Sequence, residues 1–407
     1  MHILSRPVIG AFISSIFAAL SLSVFMNYVG NFLSDLSATA LIISIIFFSR
    51  NFIQIFIRVP IAEFSQIIGR KPLIIGGIFF LSIALIIMYF ATSWHQILIA
   101  TLFVAIGMSG YWPGLFAYIG DISTDDYGKI NAFVFQGSDI GVLLGALITK
   151  YLLSSSNLML RDVFFQIGLI SLIGSIFSYV ILPESLSDEN RLIVNSKLSS
   201  IKTSFVKSFE SLIRISKKKH LNLIYLYQFI ISFIEYFVGS FFPLLIVISL
   251  GFSYSQLAEI VFYSIFILFI VKLFAGKITD RFYFKNIILI SFFTSSILLF
   301  SLTIVKDFVL IIIIYSVFLS ISMVAYLAIN GGTSKYSQSK ERGLAVGALG
   351  FYVSFGRTTT SLLLAPLWEY YELIFGRSYS LILIFRSIST LIFIISLIFI
   401  YRNKFHK

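Results

Sequence analysis

The sequence predicts an all-α membrane protein with twelve transmembrane helices in two pseudo-symmetric six-helix halves. Three observations predict this fold class. The chain of 407 residues is 58% hydrophobic and 12% charged, with a mean hydropathy of +0.98, which is more apolar surface than a water-soluble domain can bury. Its apolar residues form continuous segments of about 20 residues, the length that spans a bilayer, rather than the alternating pattern of barrel strands. One basic motif also occurs twice, at corresponding places in the two halves.

The apolar segments form two groups of six, separated by a polar stretch. We therefore predict an N-terminal six-helix bundle over residues 1–183, a basic linker over 184–220 and a C-terminal six-helix bundle over 221–407. Helices are required because each backbone amide in lipid needs a hydrogen-bond partner within its own segment. No small-residue cleavage site follows Met1–Arg6, so we expect an uncleaved first helix rather than a signal peptide. The predicted segments are 8–32, 38–65, 72–94, 96–119, 130–153, 162–183, 221–249, 255–278, 286–305, 308–330, 342–366 and 378–400.

The distribution of charge predicts the orientation in the membrane. A net charge of +12 is compatible with nucleic-acid binding, but the cations gather in alternate connections, as membrane topology requires. If both termini are cytoplasmic, most Lys and Arg lie on the cytoplasmic side and only a few, such as Lys150 and Lys306, lie outside. We therefore expect a multi-pass protein of the plasma membrane, in contact with the lipid bilayer and without a nucleic-acid partner.

The linker contains apolar residues at helical spacing among its basic ones. Leu198, Ile201 and Phe205 begin this pattern, which predicts an amphipathic helix on the inner leaflet. The alternative is a flexible linker whose periodicity is incidental.

The repeated motif lies between the second and third segments and again between the eighth and ninth. Residues 58–71 read RVPIAEFSQIIGRK, and residues 272–285 read KLFAGKITDRFYFK. Both resemble the G-x-L-x-D-R-x-G-R-K loop of the major facilitator superfamily, although Ala62, Gln66 and Tyr283 depart from it. The positions that carry the resemblance are Gly69, Arg70 and Lys71, with Arg58 ahead of them, in the first copy, and Gly276, Asp280, Arg281 and Lys285 in the second.

This resemblance implies a secondary transporter in which two halves rock around a site at mid-membrane. It also implies that these loops hold the cytoplasmic side closed in one state. We expect a monomer that carries a small-molecule substrate, with protons as the candidate coupling ion. The sequence contains no P-loop, HExxH or G-x-S-x-G motif and no cysteine. We therefore expect neither catalytic residues nor a metal site or cofactor, and no enzymatic activity.

Polar residues inside the apolar segments predict the candidate site. Charged and amide groups in hydrocarbon are costly unless they face a cavity or a partner. The resemblance implies that helices 1, 2, 4 and 5 and their counterparts 7, 8, 10 and 11 line the cavity. The alternative is that the charges form structural ion pairs. The predicted substrate-binding or coupling residues are Arg50, Asn51, Gln54, Tyr111, Trp112, Gln136, Asp139, Gln228, Glu235 and Arg357.

Two helices carry further patterns. Pro113 follows Tyr111 and Trp112, and we expect it to interrupt and bend the fourth helix, where the two rings either contact a substrate or form a core aromatic pair. The fifth helix carries Gly137, Gly141 and Gly145 at intervals of four. This spacing resembles a helix 5 pattern of exporters in the family, and the alternative is close helix packing.

Three functions remain open at this stage. Export of amphipathic organic compounds is slightly favoured, with Asp139 and Glu235 as carboxylates that bind and release a proton. Uptake of an organic or inorganic anion would use Arg50 and Arg357. A membrane sensor or scaffold that keeps the fold without transporting is the alternative from another class.

Overall fold

The computed structural model describes residues 5–123, 127–155, 158–186, 214–218, 221–281, 283–336 and 342–404. Within these residues the protein has twelve long α-helices and no strand, which confirms the all-α class. Most of the predicted linker, and with it the amphipathic helix, lies outside the described residues. The helices are α1 (Arg6–Asp35), α2 (Ala40–Ile68), α3 (Arg70–Phe90), α4 (Trp94–Ile122), α5 (Tyr127–Ser155), α6 (Leu160–Ile181), α7 (Leu221–Leu244), α8 (Tyr254–Arg281), α9 (Phe284–Ser301), α10 (Phe308–Tyr336), α11 (Arg342–Phe375) and α12 (Arg377–Lys404).

Eleven of these helices are long and apolar enough to cross a membrane, so the protein is a multi-pass membrane protein. The remaining described helix, α11, has 34 residues, but its middle carries Arg357, threonines at 358–360 and several glycines. Polar residues are tolerated in a spanning helix where they face protein or a water-filled cavity instead of lipid. The composition of α11 therefore indicates a helix with one side turned away from lipid.

The helices group into two compact units. The first contains Met1–Ala38 and Ile46–Ser208, and the second contains Thr39–Ile45 and Phe209–Lys407. In the first unit α1 packs mainly on α5, and α3 packs on α4 and α6. In the second unit α7 packs on α11, and α9 packs on α10 and α12. These pairs correspond when the helix numbers are shifted by six, so this part of the packing repeats between the units. The second unit also packs α8 on α10.

The first turn of α2 belongs to the second unit, where its backbone N–H groups bond to carboxylates of α11. The N–H of Ala40 donates to a carboxylate oxygen of Glu372 at 3.0 Å, and that of Leu41 donates to Glu369 at 2.9 Å. Glu372 also pairs with Arg377 at 3.4 Å. The first N–H groups of a helix have no partner within the helix and carry partial positive charge, so two carboxylates are well suited to cap them.

Prolines lie within continuous helices. Pro113 lies inside α4 without ending it, so the predicted interruption of this helix is wrong. Pro366 lies inside α11, which continues to Phe375, beyond the predicted end at 366. A proline removes one backbone hydrogen bond, and packing against neighbouring helices allows a membrane helix to continue past it. After Pro243 the backbone of α7 continues as a π-helical turn, Leu245–Ser249.

Candidate functional site

In the first unit, the predicted polar residues of α2 are buried. Arg50, Asn51 and Gln54 are 3%, 2% and 2% exposed. Arg50 donates from Nη1 to the sulfur of Met26 on α1, and the Nε2 of Gln54 lies 3.5 Å from the sulfur of Met108 on α4. Asn51 bonds to the backbone of its own helix. Arg50 and Gln54 therefore point into the first unit, where each contacts the sulfur of one methionine.

The two aromatic residues of α4 have different surroundings. Tyr111 is 1% exposed and donates a hydrogen bond from its hydroxyl to Ser15 at 3.0 Å. A Cβ on Gly77 of α3 would lie 2.6 Å from the Cβ of Tyr111, so this residue is enclosed between α1 and α3. Trp112 is only half-buried and stacks on Phe135 of α5 with ring centroids 5.5 Å apart. Of the two rings, Trp112 is the more accessible in this conformation.

Three further predicted residues, Gln136, Asp139 and Gln228, differ in how accessible they are. Gln136 and Asp139 lie one turn apart on α5, and both are partly accessible. Gln228 on α7 is 1% exposed and donates to the hydroxyl of Ser232 at 2.8 Å. Gln136 and Asp139 are therefore the more open positions, whereas the Gln228 amide is engaged within its own helix.

In the second unit, three helices bring together a carboxylate, a guanidinium and a phenol. Glu235 of α7 interacts electrostatically with Arg357 of α11, and Tyr326 of α10 interacts with both. Glu235 and Arg357 are partly accessible, and Tyr326 is 39% exposed. The side chain of Asn330 completes the cluster: it hydrogen-bonds to Tyr326 and donates to the Tyr326 backbone oxygen at 2.8 Å. We call Glu235, Arg357, Tyr326 and Asn330 the acid–base cluster.

Sequence reasoning identified the two charges of the acid–base cluster and missed the other two members. Tyr326 and Asn330 stand four residues apart on α10, so they share one helix face. Polar residues at that spacing in an otherwise apolar segment are the signal that would have found them. Aromatic residues are so common in this chain, with 45 Phe and 21 Tyr, that a single tyrosine does not stand out.

Close packing of α7 on α11 holds the acid–base cluster in place. The hydroxyl of Thr360 donates to the backbone oxygen of Phe233 at 3.1 Å. A Cβ on Gly356 would lie 2.6 Å from the backbone oxygen of Phe229, so only glycine permits this approach. These contacts fix the register of the two helices. Glu235, two residues after Phe233, is thereby kept near Arg357, three residues before Thr360.

The first copy of the repeated loop is tied to two other helix ends of its unit. Gly69 precedes α3 with φ of 103°, a conformation that favours glycine. The Nε of Arg70 lies 3.1 Å from a carboxylate oxygen of Asp121, at the end of α4. Glu184, just after α6, accepts hydrogen bonds from the backbone N–H groups of Arg70 at 2.9 Å and Lys71 at 3.2 Å. This loop is thus held by carboxylates from α4 and from the segment after α6.

In the second copy of the repeated loop, Arg281 is exposed and Lys285 is half-buried. The side chains of Arg58 and Asp280 and the surroundings of Gly276 lie outside the described part of the structure, so the role of these loops in closing the cytoplasmic side stays a prediction. Sequence reasoning missed Asp121 and Glu184 as partners of the loop. A carboxylate at the C-terminal end of a helix opposes the helix dipole, and its presence at Asp121 is a signal that a cation lies nearby.

Comparison with known proteins agrees with this architecture. The sequence profile described as Major Facilitator Superfamily matches residues 11–361. Multidrug resistance protein 2 of Bacillus subtilis is 25% identical over 256 residues, which cover 60% of this chain and 60% of that protein. The inner membrane transport protein YnfM of Escherichia coli is 28% identical over 122 residues, or 30% of this chain and 29% of that protein. The matched region thus spans 60% or less of the length of these two relatives.

Solved structures share the fold at low sequence identity. The nucleoside transporter NupG superposes with a TM-score of 0.73 at 13% identity, covering 97% of this chain and 99% of that one. The human organic anion transporter MFSD10 gives a TM-score of 0.61 at 16% identity, covering 96% and 99%. The family resemblance of the two basic loops is confirmed by the match over most of the chain. The chain therefore belongs to the major facilitator superfamily of membrane transporters.

Proposed function

We propose that the protein is a secondary active transporter that moves a small organic solute by alternating access, coupled to protons, with export as the favoured direction. The observation that carries this proposal is the acid–base cluster of the second unit. Its carboxylate lies within a spanning helix, beside a guanidinium and a partly exposed phenol. Such groups are rare in membrane segments, and they mark pathways for solutes or protons.

Protonation of Glu235 would change the charge balance of the cluster. The neutral acid no longer compensates Arg357, and an uncompensated cation away from bulk water is costly. A rearrangement that gives Arg357 a new partner, such as an anionic group or water, then becomes favourable. The carboxyl group of Glu235 is enclosed in this conformation, so exchange of its proton with solution requires a conformation that opens the cluster to water. Proton binding and conformation are coupled in this way, as secondary transport requires.

Flux measurements on reconstituted protein test this proposal. Proteoliposomes with an imposed pH gradient are expected to accumulate ethidium, an amphipathic cation, in the wild type. Glu235→Gln keeps the shape of the side chain but cannot lose a proton, so gradient-driven accumulation should disappear while exchange of ethidium without a gradient persists. Asp307→Asn, which neutralises an exposed carboxylate in the turn between α9 and α10, is the matched control and should behave as the wild type.

Other outcomes of this experiment have defined meanings. Full gradient-driven accumulation by Glu235→Gln would contradict coupling through this residue. If neither ethidium nor other solutes move and substitution of Arg50 and Glu235 changes nothing, the non-transporting sensor or scaffold is favoured. The Bacillus subtilis relative is named as a multidrug resistance protein, which supports the choice of an amphipathic cation as the first probe.

Uptake of an anion is the second candidate function, and Arg50 is the observation that favours it. Its guanidinium is buried in the first unit, 3% exposed, at a position suited to bind a carboxylate or phosphate. Arg50→Ala should abolish uptake of a fluorescent organic anion while leaving ethidium export largely intact. Arg386→Ala is the matched control, because Arg386 contacts Thr303 and Phe300 between α9 and α12. Equal loss of anion uptake in both variants would contradict a specific role for Arg50.

A further inference from the structure

The second unit contains an apolar groove on its outer surface, formed by α8, α9 and α10. Its volume is about 460 Å³, within the range of ligand sites in proteins. Ile267 of α8, Ile290 of α9 and Val317 of α10 line it and are 37%, 64% and 40% exposed. These residues are at the surface of spanning helices, so the groove opens toward the region occupied by lipid. Its occupant therefore enters from the bilayer rather than from water.

One end of the groove lies at the membrane surface. The helix α8 ends at Arg281 and α9 begins at Phe284, so the short turn between them lies at one surface of the membrane. Val271 and Asn286 line this end of the groove, and each is next in sequence to a lysine, Lys272 or Lys285. The groove therefore runs from hydrocarbon depth to a level at which lysines meet lipid headgroups.

Aromatic residues mark the same level independently. Tyr283 is 50% exposed, and its ring lies 5.2 Å from that of Phe284. Phe284 in turn contacts Tyr336 at the end of α10, with ring centroids 5.8 Å apart. Tyrosines are enriched where the polar headgroups meet the acyl chains. The turn between α8 and α9 thus lies at the membrane interface, where an anionic headgroup would meet the lysines.

We propose that this groove binds one anionic phospholipid, with an acyl chain along α8–α10 and the phosphate near Lys272 and Lys285. The shape and apolar lining suit the chain, while Asn286 and the two lysines suit the headgroup. The site is separate from the acid–base cluster and does not depend on the proposed transport activity. Each lysine near an anionic headgroup contributes enough attraction to change affinity about fivefold.

Lipid binding to the purified full chain tests this inference. In detergent, phosphatidylglycerol should raise the melting temperature and remain bound at one molecule per chain in native mass spectrometry, whereas phosphatidylcholine should do neither. Lys285→Gln should retain phosphatidylglycerol about fivefold less well. The matched control is Lys306→Gln, which neutralises an exposed lysine in the turn between α9 and α10 and should bind as the wild type.

A second pair of variants tests the groove itself. Val317→Trp should fill the groove and abolish retention, whereas Ile313→Trp, one turn away and outside the groove, should not. Equal stabilisation by phosphatidylcholine, or equal loss of retention in both tryptophan variants, would overturn the proposal in favour of a nonspecific lipid shell. Equal stabilisation by glycerol phosphate would overturn it in favour of a headgroup site without an acyl chain. Melting temperatures without lipid show whether each variant is folded.

Discussion

Carboxylates of this chain have different roles according to the groups that face them. Glu184 accepts hydrogen bonds from the backbone N–H groups of Arg70, Lys71, Ser185 and Leu186, at 2.9 to 3.2 Å. Two of these groups begin α3, so the negative charge also meets the positive end of a helix dipole. Glu235, by contrast, interacts with the side chains of Arg357 and Tyr326. The first carboxylate therefore stabilises backbone structure, whereas the second meets only side chains, as the proposed coupling role requires.

Glu184→Gln tests the structural role at the residue scale. The amide keeps one oxygen but places an NH₂ group against backbone donors, and it loses the charge that strengthens these bonds. We expect the free energy of unfolding to fall by about 1–3 kcal/mol, measured by thermal or denaturant unfolding in detergent. Asp307→Asn should change it by less than about 0.5 kcal/mol, because asparagine can still accept the hydrogen bond from the N–H of Leu310 at the start of α10. Equal effects of the two substitutions would contradict the special role of Glu184.

At this scale, the sequence identifies residues whose environment is unusual for their type. Arg50 and Glu235 stand out because a charge in an apolar segment is costly and needs a reason. Glu184 and Asp121 do not stand out, because carboxylates outside the membrane are common and their partners come from distant helices. Tyr111 and Trp112 look equivalent in sequence. Only the packing of α1 and α3 around Tyr111 makes it a core residue, whereas Trp112 stays partly accessible.

At the scale of elements, glycines decide which helices approach closely. A Cβ on Gly137 would lie 2.5 Å from the backbone oxygen of Phe12, and one on Gly145 would lie 2.8 Å from the hydroxyl of Ser23. A Cβ on Gly141, which stands between them, would lie at least as close to the backbone oxygen of Ile16. The geometry favours close packing of α1 on α5 as the interpretation of these glycines. A Cβ on Gly137 or Gly141 would require the backbone of α1 to move, whereas one on Gly145 would first displace the side chain of Ser23.

Substitution of two glycines by alanine should have opposite effects on stability. Gly141→Ala places a methyl group against the α1 backbone, so we expect the free energy of unfolding to fall by about 1–3 kcal/mol. Gly239 of α7 has open space where a Cβ would lie. Gly239→Ala should therefore raise the free energy of unfolding by about 0.5–1 kcal/mol, since alanine favours a helix over glycine. Thermal unfolding of the two purified variants measures both effects, and the same sign in both would contradict this packing.

The elements themselves were largely predictable, because a spanning helix must be long, apolar and continuous. All twelve described helices overlap the predicted segments. The largest errors fall at prolines: Pro113 does not interrupt α4, and Pro366 does not end α11. Local sequence suggests a break at these positions, whereas the surrounding helices support the backbone on both sides. Tertiary packing of this kind leaves no signal in a window of neighbouring residues.

At the scale of the whole molecule, the number of crossings determines the side on which each connection lies. Predicted orientation places the α9–α10 turn outside the cell and the end of α12 in the cytoplasm. Between these points the chain must cross three times, through α10, α11 and α12. Of these three, α11 is the helix whose sequence is less apolar than that of a typical spanning helix. The side on which the C-terminal end lies therefore reports directly on whether α11 crosses.

Single-cysteine labelling tests the orientation and the crossing together, and the chain contains no native cysteine that would react. Lys306 is exposed in the α9–α10 turn, and Tyr401 is 65% exposed near the end of α12. In intact bacterial cells, Lys306→Cys should react with a membrane-impermeant maleimide, whereas Tyr401→Cys should react only after permeabilisation. Labelling of both from outside would mean that α11 does not cross, because two crossings return the chain to the same side. Labelling of Tyr401→Cys alone would instead invert the predicted orientation and place the basic linker outside, contrary to the charge bias of the connections.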